Sequence, residues 1–544
     1  MKADVYLREV LKQTPRLLSL LDRNPLSKTY GCFDRQYWHY TVIDFPCARS
    51  QEAALTLALL YSIDHEMNIY YKNKSVLDWI NAALKFWTRI QEGNGSFNEW
   101  YPNENSLVAT AFSSYAISET LLLLGDEIKG RDEVISSLKK AAKWLMKKDE
   151  DRAVNQGTGA AVFLYNIFLL TGDEEYRKSS EKKIGFILSK QDKEGWFPEY
   201  GGADIGYLSL AIDYLSKYYK KSNNRRILKH LKDSVEFISF FIQQNHLFGG
   251  IYGSRNTSYL IPHGFEILSR EIPTAALISG CIRKALESKK AVSPHSLDDR
   301  YLTYITYTNL QAYVDSGDTG VGHLPNQQEF VRNLPNSGFW IYGDKHIYLV
   351  TNYKKGGVFS VFFKESNTLF QDSGIMLETL EGEGLTSSWL TDRNTVELHG
   401  NRIEVQGSLW NIPSNYLSPV KSVFLRTFQM TVGRNASVGQ AVKNALRDRL
   451  ITKTKQTSIH FSREICIEGG LLKIRDEIDA LDKVKELFIG GDVSHTYTPS
   501  SRYFQNPELN SNPIKFDEIA RDKVEIMRVY DIEGKPVNQG KKQS

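Results

Sequence analysis

The sequence predicts an α+β protein of more than one domain, in which a ring of paired helices precedes an antiparallel β-sandwich. Three observations support this prediction. Helical periodicity fills the first part of the chain, a motif repeats within it, and short β-branched and aromatic runs replace it after Gly317. A chain of 544 residues is also too long for one ordinary hydrophobic core.

The first part of the chain has the pattern of stacked helices. Segments with apolar residues at helical spacing and no internal proline include SQEAALTLALLYSI, SVLDWINAALKFWTRIQ, SLVATAFSSYAISETLLLL and TGAAVFLYNIFLL. Segments rich in Ala, Gly and Ser are apolar nearly all round, which is typical of inner helices. By contrast, DEVISSLKKAAKWLMKK is amphipathic, which is typical of an outer helix.

A motif sets the period of these helices. It appears twice at an offset of 100 residues, as Gln91-x-x-x-Gly95-x-Phe97-x-Glu99-Trp100 and as Gln191-x-x-x-Gly195-x-Phe197-x-Glu199-Tyr200. Half of this offset falls on further junctions between a loop and an inner helix. A helix pair of about 50 residues, stacked five or six times, predicts an incomplete (α/α) toroid. We predict that it spans residues 1–317, with an open helical solenoid as the alternative.

After Gly317 the pattern changes to short strands. Runs of β-branched and aromatic residues include GFWIYGD, HIYLVTNY, GVFSVFFKE, NTLFQDSG, TVELHG, RIEVQGSLW, SVFLRTFQMTV, TSIHFSREICIEG, LLKIRDEID and KELFIGGDV. One charged stretch, VGQAVKNALRDRLITKTKQT, reads as a helical or irregular insertion. Because almost no other helical pattern intervenes, we predict an antiparallel β-sandwich over residues 318–544, with a last strand after about Arg521.

Composition argues against several classes of function. The 68 basic and 64 acidic residues are interspersed for a net charge of +4, too weak a field to favour nucleic acid. No stretch reaches the roughly 20 apolar residues that span a membrane. The first residues lack a signal-peptide pattern, and the four cysteines lack metal-ligand spacing. We therefore expect a cytoplasmic protein with reduced thiols, and nothing in the sequence indicates its oligomeric state.

The predicted toroid brings distant loops together. Loops that lead into inner helices gather at one end of the ring, so Asn105, Asn155 and Tyr207, spaced 50 and 52 residues apart, are expected to meet there. Such polar residues form a concave site. One repeat later comes a loop with three further candidates: Arg255, Asn256 and His263. Aromatic residues make up 12% of the chain, and the flat C–H faces of sugars pack on such rings, so a carbohydrate groove fits this end of the ring.

Two stretches in this region are DKEGWFPEYGGADIGYLSLAIDYLSKY and GGIYGSRNTSYLIPHGFE. With the order of toroid and sandwich, they resemble the heparinase II/III-like and chondroitin AC-type polysaccharide lyases. The motif-level resemblance covers roughly residues 150–270. It implies a lyase that cleaves a uronic-acid-containing polysaccharide or oligosaccharide, such as a glycosaminoglycan, by β-elimination. It implies no cofactor.

The resemblance also implies roles for individual residues. Asn155 matches the asparagine that neutralises the uronate carboxylate, Tyr207 matches the acid/base tyrosine, and Arg255 matches the arginine that holds the tyrosine or the substrate. Tyr200 stands where the chondroitin AC-type enzymes carry a histidine. The nearest histidine is His263, expected in a loop, so the identity of the base stays open among Tyr200, Tyr207 and His263.

Other residues of the same loops are candidates for binding substrate: Tyr200, Trp196, Asn105, Glu104, Asn256, Trp100 and Gln156. The histidine/aspartate zinc signature usual in heparinase-type enzymes would fall where NYKKGG stands, so we predict no metal there. Each main candidate also has a structural interpretation: a helix N-cap for Asn155, core packing for Tyr207, and an ion pair with Glu266 or Asp204 for Arg255.

Two other functions fit the same sequence. A glycoside hydrolase on the toroid would use two facing carboxylates, such as Glu99, Glu199 or Asp204. A non-catalytic protein that binds acidic glycans would need neither a base nor an acid. Facing carboxylates at the ring mouth would favour the first alternative, and binding without turnover would favour the second.

Overall fold

A computed structural model of the protein describes residues 3–150, 152–290, 292–413, 418–435, 454–479, 484–491, 513–519 and 523–542, with isolated positions between these ranges. The predicted insertion VGQAVKNALRDRLITKTKQT lies largely outside the described residues, as does Arg521.

Helices fill the first part of the chain. Their bounds are α1 (Asp4–Leu20), α2 (Arg35–Trp38), α3 (Ala53–Ser62), α4 (Lys74–Arg89), α5 (Leu107–Leu124), α6 (Arg131–Leu145), α7 (Val154–Thr171), α8 (Glu174–Leu188), α9 (Ile205–Ser222), α10 (Leu228–Ser239), α11 (His263–Leu268), α12 (Pro273–Glu287) and α13 (Asp299–Val314). Helices α3, α5, α7, α9, α11 and α13 contact one another in that order, and α13 contacts α3. The predicted toroid of paired helices is therefore confirmed, with these six as its inner ring.

Helices α3, α5 and α7 are apolar or small on nearly all sides because they have neighbours on all sides. Helix α5 begins after Ser106, whose hydroxyl accepts a hydrogen bond from the backbone N–H of Ala109, and it is buried along most of its length. The segment Leu107–Glu127 is long and apolar enough to cross a membrane, contrary to our expectation that no stretch would qualify. However, 72% of its most apolar window is buried inside the protein, which suits an inner helix of the ring.

The repeated motif builds the same turn twice. Gln91 Nε2 donates to the Gly95 carbonyl at 3.0 Å, and Gln191 Nε2 donates to the Gly195 carbonyl at 3.1 Å. Both glycines have positive φ, 94° and 103°. A Cβ atom on Gly95 or Gly195 would lie 2.5 or 2.3 Å from a carbonyl oxygen of the adjacent outer helix. Glycine is therefore required at both turns, and the 100-residue sequence offset is a structural repeat.

Strands fill the rest of the chain. Their bounds are β1 (Phe330–Leu334), β2 (Phe339–Gly343), β3 (Ile347–Asn352), β4 (Val358–Phe363), β5 (Thr368–Asp372), β6 (Ile375–Thr379), β7 (Gly384–Thr386), β8 (Thr395–His399), β9 (Arg402–Asn411), β10 (Gln456–Glu468), β11 (Leu471–Asp479), β12 (Val484–Ile489), β13 (Ile514–Ile519), β14 (Lys523–Tyr530) and β15 (Pro536–Lys542). Strands β1 to β5 form one sheet in sequential order. A second sheet has the order β13-β12-β6-β7-β9-β10-β11-β14-β15, with β8 paired to β9.

The five-stranded sheet lies between the ring and the second sheet. Ile341 and Val350 pack into the core of the helical ring, whereas Leu349 and Val361 pack into a separate core shared with the ten-stranded sheet. Both faces are covered, so β3 and β4 are buried at every position. The antiparallel β architecture is confirmed, and the division of the chain into folding units at residue 317 stays a prediction.

One predicted strand is a helix. The segment SVFLRTFQMTV lies largely in α14 (Pro419–Met430). Ser418 caps its first turn by accepting the backbone N–H of Lys421, and Pro419 occupies the first helical position. Proline there has the φ that a helix needs and no N–H that would be left unbonded, so the local start signal overrides the β-branched composition.

Candidate active site

The candidate site lies at the mouth of the ring, where α7 and α9 begin. Asn155 is in the first turn of α7, and Tyr207 is in the first turn of α9. The loop that leads from α8 into α9 makes a tight turn at Tyr200, which has a φ of 49°. A second loop, with Arg255 buried in it, packs against this turn. The structure therefore brings the loops of Asn155, Tyr207, Tyr200 and Arg255 together at one end of the ring.

Asn155 is bonded to a buried acid. Its Nδ2 donates a hydrogen bond to Glu199 Oε2, and the two side chains are 4% and 3% exposed. Burial, and next the charge of Asp204, raise the pKa of Glu199 well above its usual range, although Arg255 and the bond from Asn155 act in the opposite direction. Glu199 therefore keeps its proton to a higher pH than an exposed carboxyl group does.

Arg255 is buried and sparsely bonded. Its guanidinium lies over the Tyr200 ring, 4.8 Å from the centroid, and Nη2 donates to the Tyr200 carbonyl at 3.1 Å. Nε and Nη1 are buried and have no hydrogen-bond partner among the described residues. Burial lowers the pKa of Arg255, and the charges of Glu199, Tyr200, Asp204 and Tyr207 oppose that shift. The site thus holds a cation with two donor groups directed at no acceptor.

Asp204 connects the start of α9 to the Arg255 loop. Its carboxylate accepts the backbone N–H of Tyr207 at 3.2 Å and that of Arg255 at 2.9 Å, and it also accepts the hydroxyl of Thr257. These bonds cap α9 and tie the Arg255 loop to it. Asp204 is 1% exposed, so it is a structural anchor and not a carboxylate that faces a ligand.

A lysine from the β part, which is the region of strands β1 to β15, holds the Arg255 loop in place. Lys355, between β3 and β4, donates to the carbonyls of Ile251 and Gly253 at 2.5 and 2.9 Å and to Asn256 Oδ1. Burial lowers the pKa of Lys355 to about 7. The stretch NYKKGG, where a zinc signature is missing, therefore supplies a lysine brace that donates hydrogen bonds to the loop. Asn256 bonds to this brace, so the structure gives it a part in holding the loop.

The other copy of the repeat builds a related cluster. Arg300, at the start of α13, lies 3.7 Å from the centroid of the Trp100 ring and donates to the Glu99 carbonyl at 3.2 Å. The Glu99 carboxylate lies 3.7 Å from Arg300 and 3.8 Å from Arg49. Trp100 is 46% exposed, so it remains accessible at the mouth. Each copy therefore places an arginine over the aromatic residue that follows the buried glutamate.

His263 departs from the expectation of a loop residue at the mouth. It begins α11, is 3% exposed, and lies 2.7 Å from Asp315 and 3.2 Å from Asp213. Asp213 is six residues, about 9 Å, further along α9 than Tyr207. Helix α11 follows Pro262 directly, which gives a helix start where we expected a loop. His263 is held in a buried network of acids on the inner helices, apart from the Tyr207 cluster.

Several other candidates have structural partners. Trp196 is 8% exposed and donates to Glu194, which also accepts two bonds from Ser337 of the β part, so it packs between ring and sheet. Glu104 accepts the backbone N–H groups of Glu99 and Trp100.

Asn105 bonds within its own loop, where its side-chain oxygen accepts the hydroxyl of Ser96 at 2.7 Å. Its described hydrogen bonds include none to Asn155 or Tyr207, and its part in binding substrate stays a prediction. Gln156 follows Asn155 in α7 and is half-buried.

Sequence reasoning did not single out Arg300 or Lys355. Arg300 had one available signal, its position in the first turn of the last inner helix, two residues after the N-cap Asp298. No sequence signal pointed to Lys355, because contacts between the ring and the sheet do not produce a periodic pattern in the sequence. Among the described residues, no three His, Cys, Asp or Glu side chains converge as metal ligands.

Comparison with known proteins identifies the fold. No family model matches the sequence, and no curated protein matches it. Among solved structures, a Paenibacillus xanthan lyase aligns with a TM-score of 0.54 and 9% identity, over 97% of this chain and 57% of that enzyme. The chain thus spans a little over half the length of that relative.

A second solved structure gives the same result. The Streptomyces coelicolor A3 chondroitin AC lyase, in complex with chondroitin sulphate, aligns with a TM-score of 0.52 and 9% identity. The alignment covers 89% of this chain and 67% of that enzyme. At such identities the likeness concerns the fold. The chain has the fold of the polysaccharide lyases, a toroid of paired helices followed by antiparallel β-sheets.

Proposed function

We propose that this protein is a polysaccharide lyase that cleaves a uronic-acid-containing glycan by β-elimination. The observation that carries the proposal is Arg255, a buried cation with two unbonded donor groups in electrostatic contact with Tyr207. A planar guanidinium of this kind suits a carboxylate, which accepts two parallel hydrogen bonds. The lyase fold supports the same class of reaction.

The residues of the mouth fit the steps of an elimination. Asn155 and Arg255 would hold the uronate carboxylate and withdraw negative charge from it, which acidifies the C5 proton. Tyr207 would take that proton, for which it needs a nearby positive charge, and Arg255 supplies one. The C4–O4 bond then breaks, a C4=C5 double bond forms, and the leaving oxygen gains a proton. Tyr207 thus serves as the acid/base residue, and the raised pKa of Glu199 lessens the repulsion between this acid and an acidic substrate.

The hydrolase alternative has less support. A hydrolase would need two facing carboxylates at the mouth. The oxygens of Asp204 already accept hydrogen bonds from the backbone N–H groups of Tyr207 and Arg255 and from the hydroxyl of Thr257. Glu99 is paired with Arg49 and Arg300, at the other copy of the repeat. Glu199 is bonded to Asn155. The described residues of the mouth therefore offer no pair of acids that face each other across an open space.

The test is a panel of uronate glycans, including glycosaminoglycans, alginate, glucuronan and bacterial exopolysaccharides, monitored for the ultraviolet absorbance of an unsaturated product. We expect activity on at least one of them. Activity should fall by more than about 1,000-fold in Tyr207→Phe and should stay at the wild-type level in Tyr219→Phe. Tyr219 is the matched control, because its hydroxyl bonds Glu271 at the opposite end of α9. Hydrolytic products without a double bond, or full activity of Tyr207→Phe, would contradict the proposal.

A further inference from the structure

The proposed reaction needs a proton acceptor for C5 and a proton donor for the leaving oxygen. His263 is held by Asp213 and Asp315 and does not reach the mouth. Tyr207 alone would perform both transfers, and a second titratable group at the mouth would take over one of them. The β part provides a candidate for such a group at the mouth of the ring, and its role depends on the proposed lyase function.

Tyr503, which lies between β12 and β13 in sequence, sits at the mouth of the ring. Its ring contacts those of Tyr259 and Tyr301, with centroids 6.3 and 6.2 Å apart. Tyr259 belongs to the loop that follows Arg255, and Tyr301 is in the first turn of α13. Tyr503 is 7% exposed, so a side chain from the β part is buried among residues of the helical ring.

The hydroxyl of Tyr503 is buried without a hydrogen-bond partner among the described residues. A buried polar group without a partner costs about 1–3 kcal/mol, so its presence calls for a ligand or a role. Burial raises the pKa of Tyr503, and the charges of Tyr301, Asp298 and Tyr207 raise it further, whereas Arg49 lowers it. Tyr503 therefore stays a neutral phenol close to Tyr207, and a neutral phenol is a hydrogen-bond donor.

We propose that Tyr503 is the general acid of the elimination, a catalytic residue that the β part contributes to the site in the helical ring. Tyr207, as the phenolate, takes the C5 proton while the C4–O4 bond breaks and C4=C5 forms. The O4 atom takes the proton of Tyr503. Tyr207 leaves the step as a phenol and Tyr503 as a phenolate, and transfer of one proton from the first to the second restores the starting state. No other reactant is required.

The arrangement explains two features of the molecule. It supplies a second proton-transfer group beside Tyr207, which His263 does not provide because Asp213 and Asp315 hold it. It also gives the β part a chemical task, because the site is complete only when Tyr503 rests on Tyr259 and Tyr301.

The test compares Tyr503→Phe with Tyr301→Phe, which removes a hydroxyl from the same aromatic cluster. The phenylalanine keeps the ring contacts of Tyr503 and removes a buried hydroxyl without a described partner, so we expect an unfolding midpoint at or above that of the wild type. With a glycan substrate, kcat should fall about 100- to 1,000-fold in Tyr503→Phe with KM within about threefold, and kcat should fall less than about threefold in Tyr301→Phe. A purely structural tyrosine would not give this division between the two kinetic parameters.

A second substrate separates proton donation from positioning. A uronate that carries 4-nitrophenol at C4 has a leaving group that needs no proton, so Tyr503→Phe should recover to within about tenfold of the wild type. Tyr207→Phe should stay inactive, because the C5 proton must still be removed.

Equal losses on both substrates would overturn the role of Tyr503 as an acid. Full activity of Tyr503→Phe on the glycan would overturn it as well, with the lyase assignment intact. A wild-type protein that forms no unsaturated product from any uronate glycan would overturn both proposals.

Discussion

Two clusters of buried arginines differ in how their charges are matched. In the β part, Arg463 bonds Asp476 at 2.6 Å and Asp372 at 2.7 Å. Arg528 bonds the remaining oxygens of the same two acids at 2.6 and 2.7 Å. All four side chains are at most 1% exposed, and together they form a closed ring of two cations and two anions.

The cluster at the mouth of the toroid is open. Arg255 is also buried, at 3% exposed, but its described side-chain hydrogen bond goes to a carbonyl group and not to a carboxylate. Unbonded nitrogen atoms occur in both clusters, because Arg463 Nη2 and Arg528 Nε also lack a partner among the described residues, so the difference is that Arg255 has no described bond to an acid. The nearby acid, Glu199, is bonded by the neutral amide of Asn155. A closed cluster can only hold strands together, whereas an open one can accept a ligand.

The largest expected effect is the loss of one acid from the closed cluster. In Asp372→Asn, Arg463 and Arg528 lose their shared counter-charge while they remain buried, so the free energy of unfolding should fall by about 3–5 kcal/mol. Urea unfolding measures this change. The control is Asp392→Asn, an ion pair with Lys354 in which the aspartate is 84% exposed, and it should change the free energy by less than about 1 kcal/mol. Equal effects in the two variants would show that closure of the ring is unimportant.

The second prediction concerns the open cluster. Arg255→Met keeps much of the packing on Tyr200 but removes the charge, so kcat/KM on a uronate glycan should fall at least about 100-fold, or about 3 kcal/mol. Stability should fall by less than about 2 kcal/mol, because Arg255 has no described bond to a carboxylate and the raised pKa of Glu199 lets this acid stay neutral without the cation. Arg255→Lys should regain only part of the activity, since an ammonium group cannot form two parallel bonds to a carboxylate. A loss of stability as large as that of Asp372→Asn would mean that this cluster, too, is structural.

The two clusters should also respond to pH with opposite signs. Burial tends to raise the pKa of Asp372, but Arg463 and Arg528 outweigh it and lower that pKa. The unfolded chain therefore binds this proton first, and the stability that Asp372 contributes is lost as pH falls below about 3.9. Glu199 has a raised pKa, so the native state binds its proton more tightly, and this contribution is lost as pH rises above about 4.3.

Unfolding free energies measured from pH 3 to pH 9 check these signs. Relative to the wild type, Glu199→Gln should become more stable as pH rises, by about 1 kcal/mol or more at pH 8. The penalty of Asp372→Asn should instead shrink toward pH 3. Parallel pH profiles in the two variants would remove the distinction between an ionised and a neutral buried acid.

The difference between the clusters explains what the sequence could predict. The toroid and the position of the mouth follow from helical periodicity and from a turn that needs glycine twice, which are local features. Asn155, Tyr207 and Arg255 follow from their places at helix starts and from the resemblance to known lyases. The partners of these residues could not be predicted, because Lys355 and Tyr503 reach the mouth from strands and loops more than 90 positions further along the chain.

The same reasoning explains the errors. His263 is a histidine between proline and glycine, and only the fold reveals the two acids on α9 and after α13 that bind it. The segment of α14 has strand-like composition, and its start is fixed by one serine and one proline. Trp196 could be a sugar platform or a packing residue by sequence, and its bond to Glu194, which also bonds Ser337, was not predictable.

The smallest expected effect concerns the frame that both copies of the repeat share. Gln91→Ala and Gln191→Ala each remove an amide that donates to the carbonyl of a glycine turn and to a carbonyl of the next outer helix. Each should cost about 1–2 kcal/mol of unfolding free energy, since two buried carbonyls lose a donor. The cost of Gln191→Ala should be the larger of the two, because Gln191 also bonds Ser234 and His230, and both variants should keep the kcat of the wild type. A much larger loss of activity in Gln191→Ala would show that the turn before Glu199 positions the open cluster, and that the two copies have diverged in function as well as in their partners.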